Sequence, residues 1–235
     1  MEKIKLLTED IHIWQAFIDD RFNDLVDMNI FCEEEKLRAE SFKFDIDRYY
    51  YLARHTLLRK ILGKYIDPEE IKFKYNDHKK PVLLISPSSP DLNFNLSFSS
   101  GHFILAICRG TEIGVDIERV KELDKLDQVA RTNFTAREYH QLMELPEELR
   151  KQYFFKLWTR KEAVMKGKGE GFYLSPLDFE ISFRNMDGIQ QVIIPGAKRK
   201  DNTWKVSGVH TSENCEAAVA TQKTKFKISY FEFLI

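Results

Sequence analysis

The chain has 235 residues, 43% of them apolar, with 36 lysines and arginines set against 37 aspartates and glutamates. A formal net charge of −1 excludes the basic excess of general nucleic-acid binding, while leaving room for a local basic patch facing one phosphorylated ligand. Cys32, Cys108 and Cys215 make no CxxC spacing and read as free thiols of a reducing cytoplasm. Neither a signal-peptide core nor an apolar run of membrane-spanning length is present, so a soluble cytoplasmic protein is expected.

Residues 4–14 alternate apolar and polar side chains and predict an edge strand; 17–28 reads as loosely helical. The stretch 33–62 predicts a long helical region ending at Gly63, bent or broken near Phe44–Asp47. Its stripe of Tyr51, Ala53, Leu57, Leu58, Ile61 and Leu62 is the core face, and Arg38, Arg48, Arg54 and Arg59 are expected in solvent. From Ile71 the pattern turns to short strands over 71–75, 81–85, 93–100, 102–110 and 111–120, whose short turns predict antiparallel pairing. Residues 122–129 read as a loop or short helix. Thr135 with Glu138 forms a capping box, and Pro146 opens a helix reaching about Lys166, stopped by Gly167, Gly169 and Gly171. Strands return over 177–183, 191–194, 203–210, 216–221 and 226–234. The order helix, strands, helices, strands divides the chain into two similar halves with no linker between them.

Two stretches carry candidate chemistry. Trp158, Glu162 and Lys166 are four residues apart and share one helix face. Such a Glu–Lys pair is either a helix-supporting ion pair or an acid–base pair. In GVDIERV, alternation puts Ile113, Val115 and Ile117 on one face and Gly114, Asp116 and Glu118 on the other. Two carboxylates so placed need a cation, solvent or a raised pKa. Magnesium suits them, being a hard ion that takes one or two carboxylates together with substrate phosphates. Gly114 is read as leaving space for a bulky ligand beside Asp116.

G-x-D-x-E at 114–118 followed by W-T-x-K-E-A-x-x-K at 158–166 resembles the 4′-phosphopantetheinyl transferases, in the larger Sfp-type branch whose single chain holds two similar halves. Arg38 with Phe42, Asp47-Arg48 and LLRK at 57–60 resemble the family's N-terminal helical region. HKKPVL at 78–83 resembles its G-K-P turn, NFNLSFS at 93–99 its N-x-S-H-S strand, and Phe134 with Glu138 its F-x-x-x-E element. The resemblance spans Lys36 to Leu174.

It implies an α+β fold with a pseudo-two-fold arrangement of two similar halves, 1–111 and 112–235, each a long helix packed on a small antiparallel sheet, with the active site at their interface. It implies magnesium-dependent transfer of the 4′-phosphopantetheine arm of coenzyme A to a serine of an acyl, peptidyl or aryl carrier protein, releasing adenosine 3′,5′-bisphosphate. Asp116, Glu118 and Glu162 would hold Mg²⁺ with the coenzyme A pyrophosphate. Glu162 would be the base, directly or through a metal-bound water, and Lys166 would reach the pyrophosphate. Arg38, Lys79 and Lys80 would bind the nucleotide, with Pro81, Ser97 and Phe98 shaping its pocket. Lys161 is either a ligand contact or solvated. Arg119, Lys121, Lys125 and Arg131, with Leu123, Leu126 and Phe134, are candidates for docking an acidic carrier, although a solvated loop also fits them. A monomer is expected, since two halves in one chain need no second copy.

Two departures stand out. Phe98 replaces the family's histidine, a donor to phosphate that phenylalanine cannot imitate. Lys79 replaces the glycine of G-K-P. They leave open a second reading, a non-catalytic coenzyme A or carrier-binding module of the same fold, and a third, a Mg²⁺-dependent nucleotide phosphodiesterase.

Overall fold

The computed structural model describes residues 3–75, 81–84, 91–169, 174–195, 202–212 and 214–234. Among these residues ten strands build three sheets. The first has the order β10 (Lys227–Glu232), β1 (Asp10–Phe17), β5 (His102–Arg109), β4 (Leu92–Ser99). The hairpin joining β4 to β5 turns through Ser100 and Gly101, both at positive φ. A side chain at Gly101 would also strike the Phe17 ring, so the turn needs glycine twice over. The second sheet has the order β6 (Ile113–Arg119), β9 (Cys215–Thr221), β8 (Thr203–Val209), β7 (Gln190–Ile193), all antiparallel. A small separate ribbon pairs β2 (Phe73–Tyr75) with β3 (Pro81–Leu83).

The helical region expected over 33–62 breaks where propensity dips, giving α1 (Glu33–Glu40) and α2 (Asp45–Leu62). The charged stretch after β6 becomes α3 (Leu126–Asn133), and Thr135 and Glu138 close the expected capping box of α4 (Ala136–Met143). Pro146 caps α5 (Glu147–Lys168). Some expectations fail. The first strand is displaced to Asp10–Phe17, and 20–30 forms two short 3₁₀ turns. No strand forms over 177–183; Ser175 and Ser182 each cap a 3₁₀ turn there by accepting a backbone N–H, local chemistry that outcompetes a ladder. The first sheet is also mixed rather than antiparallel, because β10 runs parallel to β1.

The layers run α2, first sheet, second sheet, α5. Leu57, Leu58, Ile61 and Leu62 of α2 pack on Trp14, Phe103, Leu105 and Ile107. The opposite faces of β1 and β5, through Ile11, Ile13, Ile104 and Ala106, meet Ile113, Val115, Ile117, Ala217 and Val219 of the second sheet. That sheet's outer face, Trp204, Val206, Ala218 and Ala220, takes Leu157, Ala163 and Val164 of α5. Strands covered on both sides read as continuous apolar runs, which is why HFILAICR lacks alternation. Each fully buried aliphatic side chain contributes roughly 1.5–3 kcal/mol.

The two sheets also meet along a seam. Edge strands β4 and β6 run side by side and are joined by side chains instead of a ladder: Asn95 Oδ1 accepts the Val115 N–H at 2.8 Å, and Ser99 Oγ accepts the Arg119 N–H at 3.3 Å. Above this seam α5 touches β6 backbone to backbone. A Cβ on Gly114 would lie 2.7 Å from Gly167 Cα and closer still to the Ala163 carbonyl oxygen. The room expected beside Asp116 for a ligand is therefore filled by the helix. Gly114→Ala should lift α5 off the strand at a cost of about 1–3 kcal/mol. This would be read as a fall in melting temperature of roughly 2–12 °C; an unchanged midpoint would refute the close approach.

Candidate active site at the seam

Asp116, Glu118 and Glu162 are the three carboxylates facing one another between β6 and α5. Asp116 is 2% exposed, and the alternation of β6 aims it at the helix. Its Oδ1 accepts from Lys166 Nζ at 2.5 Å and from the Ser97 hydroxyl at 2.9 Å, while Ser97 Oγ in turn accepts from Lys166 at 2.9 Å. Ser99 donates to Glu118 Oε2 at 2.8 Å. Residues of β4, β6 and α5 thus converge on one point.

The electrostatics follow from that convergence. Burial pushes the Asp116 carboxyl above its ordinary pKa, against the pull of Lys166. Burial also raises Glu118, with the field of Asp116 adding to it. Glu162 is raised by burial and then by Asp116, offset in part by Lys166. Partly desolvated carboxylates in one another's field call for an added cation.

Asp116 Oδ2 is buried without a hydrogen-bond partner. Among the described residues no group of three or more His, Cys, Asp or Glu side chains is gathered in a metal-holding arrangement. The donors offered are nevertheless all oxygens, one carrying an unused lone-pair set, and they carry more negative charge than Lys166 balances. That chemistry fits a hard divalent ion such as Mg²⁺.

The other expected residues fall in several places. Arg38 is exposed at the end of α1, its guanidinium 5.3 Å from the Phe42 ring. Pro81 opens β3, in the separate ribbon, which packs beside β4. Lys79 and Lys80 lie outside the described residues. Ser97 stands within the carboxylate cluster itself. Phe98 points the other way, toward α2, against Tyr50 (ring centroids 4.8 Å apart) and Arg54.

Lys161 is neither a ligand contact nor solvated. It is 1% exposed, ion-paired to Glu138 at 2.9 Å, and donates to the carbonyls of Pro176 and Phe179. Phe134 is 2% exposed and packs on Phe154, so it is core and takes no part in a docking face. Arg119, Lys121, Lys125 and Arg131 are exposed, with Leu123 and Leu126 half-buried beside them. Gly167 lies within α5 against Trp204, and Gly169, at φ 70°, ends the helix; Gly171 is outside the described residues. Arg54 and Arg59, expected in solvent, are half-buried, and Arg59 pairs with Glu35 at 2.6 Å.

Asn95 and Ser99 escaped the sequence reading, although the alternation that puts Phe94, Leu96 and Phe98 on one face of β4 places Asn95, Ser97 and Ser99 on the other.

A profile of the 4′-phosphopantetheinyl transferase superfamily matches residues 112–221, the segment that carries β6 and α5. The 4′-phosphopantetheinyl transferase HetI of Nostoc sp. is 31% identical over 223 residues, covering 92% of this chain and 90% of that protein. The chain belongs to the 4′-phosphopantetheinyl transferase superfamily. Other members at similar distance include the 4′-phosphopantetheinyl transferase Sfp of Bacillus subtilis, 26% identical over 88% of this chain and 91% of its own length. Mouse L-aminoadipate-semialdehyde dehydrogenase-phosphopantetheinyl transferase is 27% identical over 88% of this chain and 72% of its own. Membership makes the protein an enzyme with coenzyme A as substrate and a carrier protein as acceptor, and the mixed α/β layers agree with the α+β fold the resemblance implies. Among the described residues no helix is long and apolar enough to cross a membrane.

Proposed function

We propose that the chain carries out phosphopantetheine transfer at the seam between β4, β6 and α5, where the halves 1–111 and 112–235 meet. The observation that carries this reading is the Asp116 carboxylate, held by Lys166 and Ser97 through one oxygen and left with the other oxygen buried and unpartnered. Asp116, Glu118 and Glu162 would hold Mg²⁺. Bound there, Mg²⁺ supplies positive charge against the pyrophosphate of coenzyme A and the leaving phosphate.

The residues of the chain divide the remaining work. Glu162 accepts the proton of the carrier serine as its oxygen attacks the β-phosphorus in line with the departing adenosine 3′,5′-bisphosphate. Burial and the field of Asp116 make it a stronger base than a surface glutamate. Lys166 keeps Asp116 ionised and presents an ammonium to the charge growing on the leaving group. Ser97, tied to both, fixes their spacing. Exposed Arg119, Lys121, Lys125 and Arg131 beyond β6 offer an acidic carrier its docking charge, with Leu123 and Leu126 as the apolar part. Arg38, Lys79, Lys80 and Pro81 are assigned to the nucleotide. The enzyme acts as a cytoplasmic monomer.

Incubating the protein with coenzyme A, Mg²⁺ and apo carriers of the acyl, peptidyl and aryl types tests this directly. Intact-mass measurement should show one carrier gaining a single phosphopantetheine arm, with loss of the reaction in chelator and recovery on adding Mg²⁺. Coenzyme A binding without arm transfer to any carrier would instead favour the binding-module reading that Phe98 suggests. Slow release of adenosine bisphosphate without a carrier would favour a phosphodiesterase.

A further inference from the structure

The two sheets are joined along β4 and β6, so β10 and β7 are the edges farthest from the seam in the sheet orders. Toward those edges the second sheet outruns the first. Its inner face is buried on β6 and β9 through Val115, Ile117, Ala217 and Val219. Partners across a ladder share a face, and the register carries that face from Thr221 to Lys205 and on to Gln191. There it is uncovered: Gln191 is exposed, and Ile193, next on the same face of β7, is 61% exposed.

The chain crosses from the second sheet to the first at this open end, through residues 222–226. Lys223 pins the crossing by donating to the carbonyls of Thr8 and Arg109. Between the crossing and the uncovered face lies a cleft with a volume of about 390 Å³. That is the size of a small-molecule site and far too small for a folded partner. Ile189, 49% exposed, and half-buried Phe226 give it an apolar wall, and Thr224 adds a hydroxyl at the rim.

Its charge is one-sided. Lys205, Lys225 and Lys227 line the cleft against a single carboxylate, Glu9, which pairs with Lys227 at 3.3 Å. Lys205 is half-buried, and its neighbours across the ladder, Gln191 and Thr221, are uncharged. Neither Lys205 nor Lys225 makes a hydrogen bond or an ion pair among the described residues. An ammonium partly withdrawn from water without a counter-ion carries a cost that an incoming anion removes. The apolar wall beside it favours an anion with an apolar body over a bare inorganic one.

We propose that this inter-sheet cleft is a second ligand site for a small amphipathic anion. Lys205 and Lys225 hold a single carboxylate or phosphate, and Ile189 and Phe226 take a short apolar body. The site shares no residue with the carboxylate seam and does not depend on the transfer reaction assigned there.

Calorimetry with octanoate and octyl phosphate as probes, and with 1-octanol and inorganic phosphate as controls, tests the assignment in the wild type, Lys205→Met and Ile189→Glu. At least one amphiphile should bind with one-to-one stoichiometry and a Kd of about 10 μM to 1 mM. The tighter of the two identifies the head group as carboxylate or phosphate. Lys205→Met should weaken binding about 10- to 100-fold. Ile189→Glu, a change at an exposed position that leaves the core intact, should abolish it, and saturating coenzyme A should leave it unaltered. The proposal is overturned if neither amphiphile binds, if octanol or phosphate binds as tightly as the amphiphiles, or if either variant keeps the wild-type affinity. Displacement by coenzyme A would overturn it too, because the probe would then occupy the seam.

Discussion

Asp116→Asn abolishes transfer while leaving the protein at least as stable as before. Asparagine keeps the volume of the side chain and an oxygen for Ser97 and Lys166, so the packing between β6 and α5 survives. What disappears is the negative charge whose buried, unpartnered oxygen makes the site. Losing one preorganised electrostatic group at a reacting centre costs about 10²- to 10³-fold in kcat, and the loss here should reach or exceed that range, because Glu118 and Glu162 are left to act alone. Stability moves the other way. Burial already penalises the Asp116 charge, and its field penalises those of Glu118 and Glu162. Removing it relieves all three, and Lys166, 33% exposed in its side chain, can turn to solvent. A site that works at the expense of stability is expected where function requires gathered like charge. Steady-state transfer together with a thermal melt checks both halves of the expectation. Near-normal turnover in the variant would remove Asp116 from the mechanism.

Lys161→Met produces the largest stability loss expected from a single polar substitution. Glu138 is 1% exposed and accepts from the backbone N–H groups of Thr135 and Ile181 as well as from Lys161. Burial works against both charges of the pair, raising the carboxyl pKa and lowering that of the amine. The mutual contact at 2.9 Å and the two carbonyls bonded to Nζ hold them ionised. Removing only the lysine strands a buried carboxylate at a cost of about 3–5 kcal/mol, which for a chain of this size corresponds to a drop in melting temperature of roughly 6–20 °C. Lys161→Met with Glu138→Gln should recover part of it, because no buried charge is then left unpaired. An equal loss in single and double variants would mean that packing, not charge, dominates. The pair joins α4, α5 and the 175–181 segment, so its rupture should loosen the helix that carries Glu162.

Much of this was legible in the residues. Alternation along GVDIERV put Asp116 and Glu118 on one face, and four-residue spacing put Glu162 beside Lys166. Local rules suffice for both, since each concerns one element. What the chain alone did not reveal lies between elements. The KEA run offers two adjacent charged residues, and nothing in their spacing tells that Lys161 is buried on Glu138 while Glu162 faces the seam. Gly114 reads as open space until a second backbone is brought against it. Helix spacing does not tell that Lys166 is bonded to Asp116, a partner 50 residues away. Segment 177–183 has strand-like side chains, but serine caps at its ends decide for turns. Arg54 looks like any helix-surface arginine; only the strand packed over it gives it a ring and half buries it.

The last strand carries one further consequence. β10 forms the outer edge of the first sheet, beside β1, with Asp10 paired to Lys227 and Gln15 to Glu232. During synthesis β1 leaves the ribosome ~200 residues ahead of β10, and its outer row of backbone donors and acceptors stays bare until β10 follows. An unpaired apolar edge is a template for joining another chain. The nascent chain therefore passes through a long interval in which β1 is an adhesive edge, and the arrival of β10 ends that exposure.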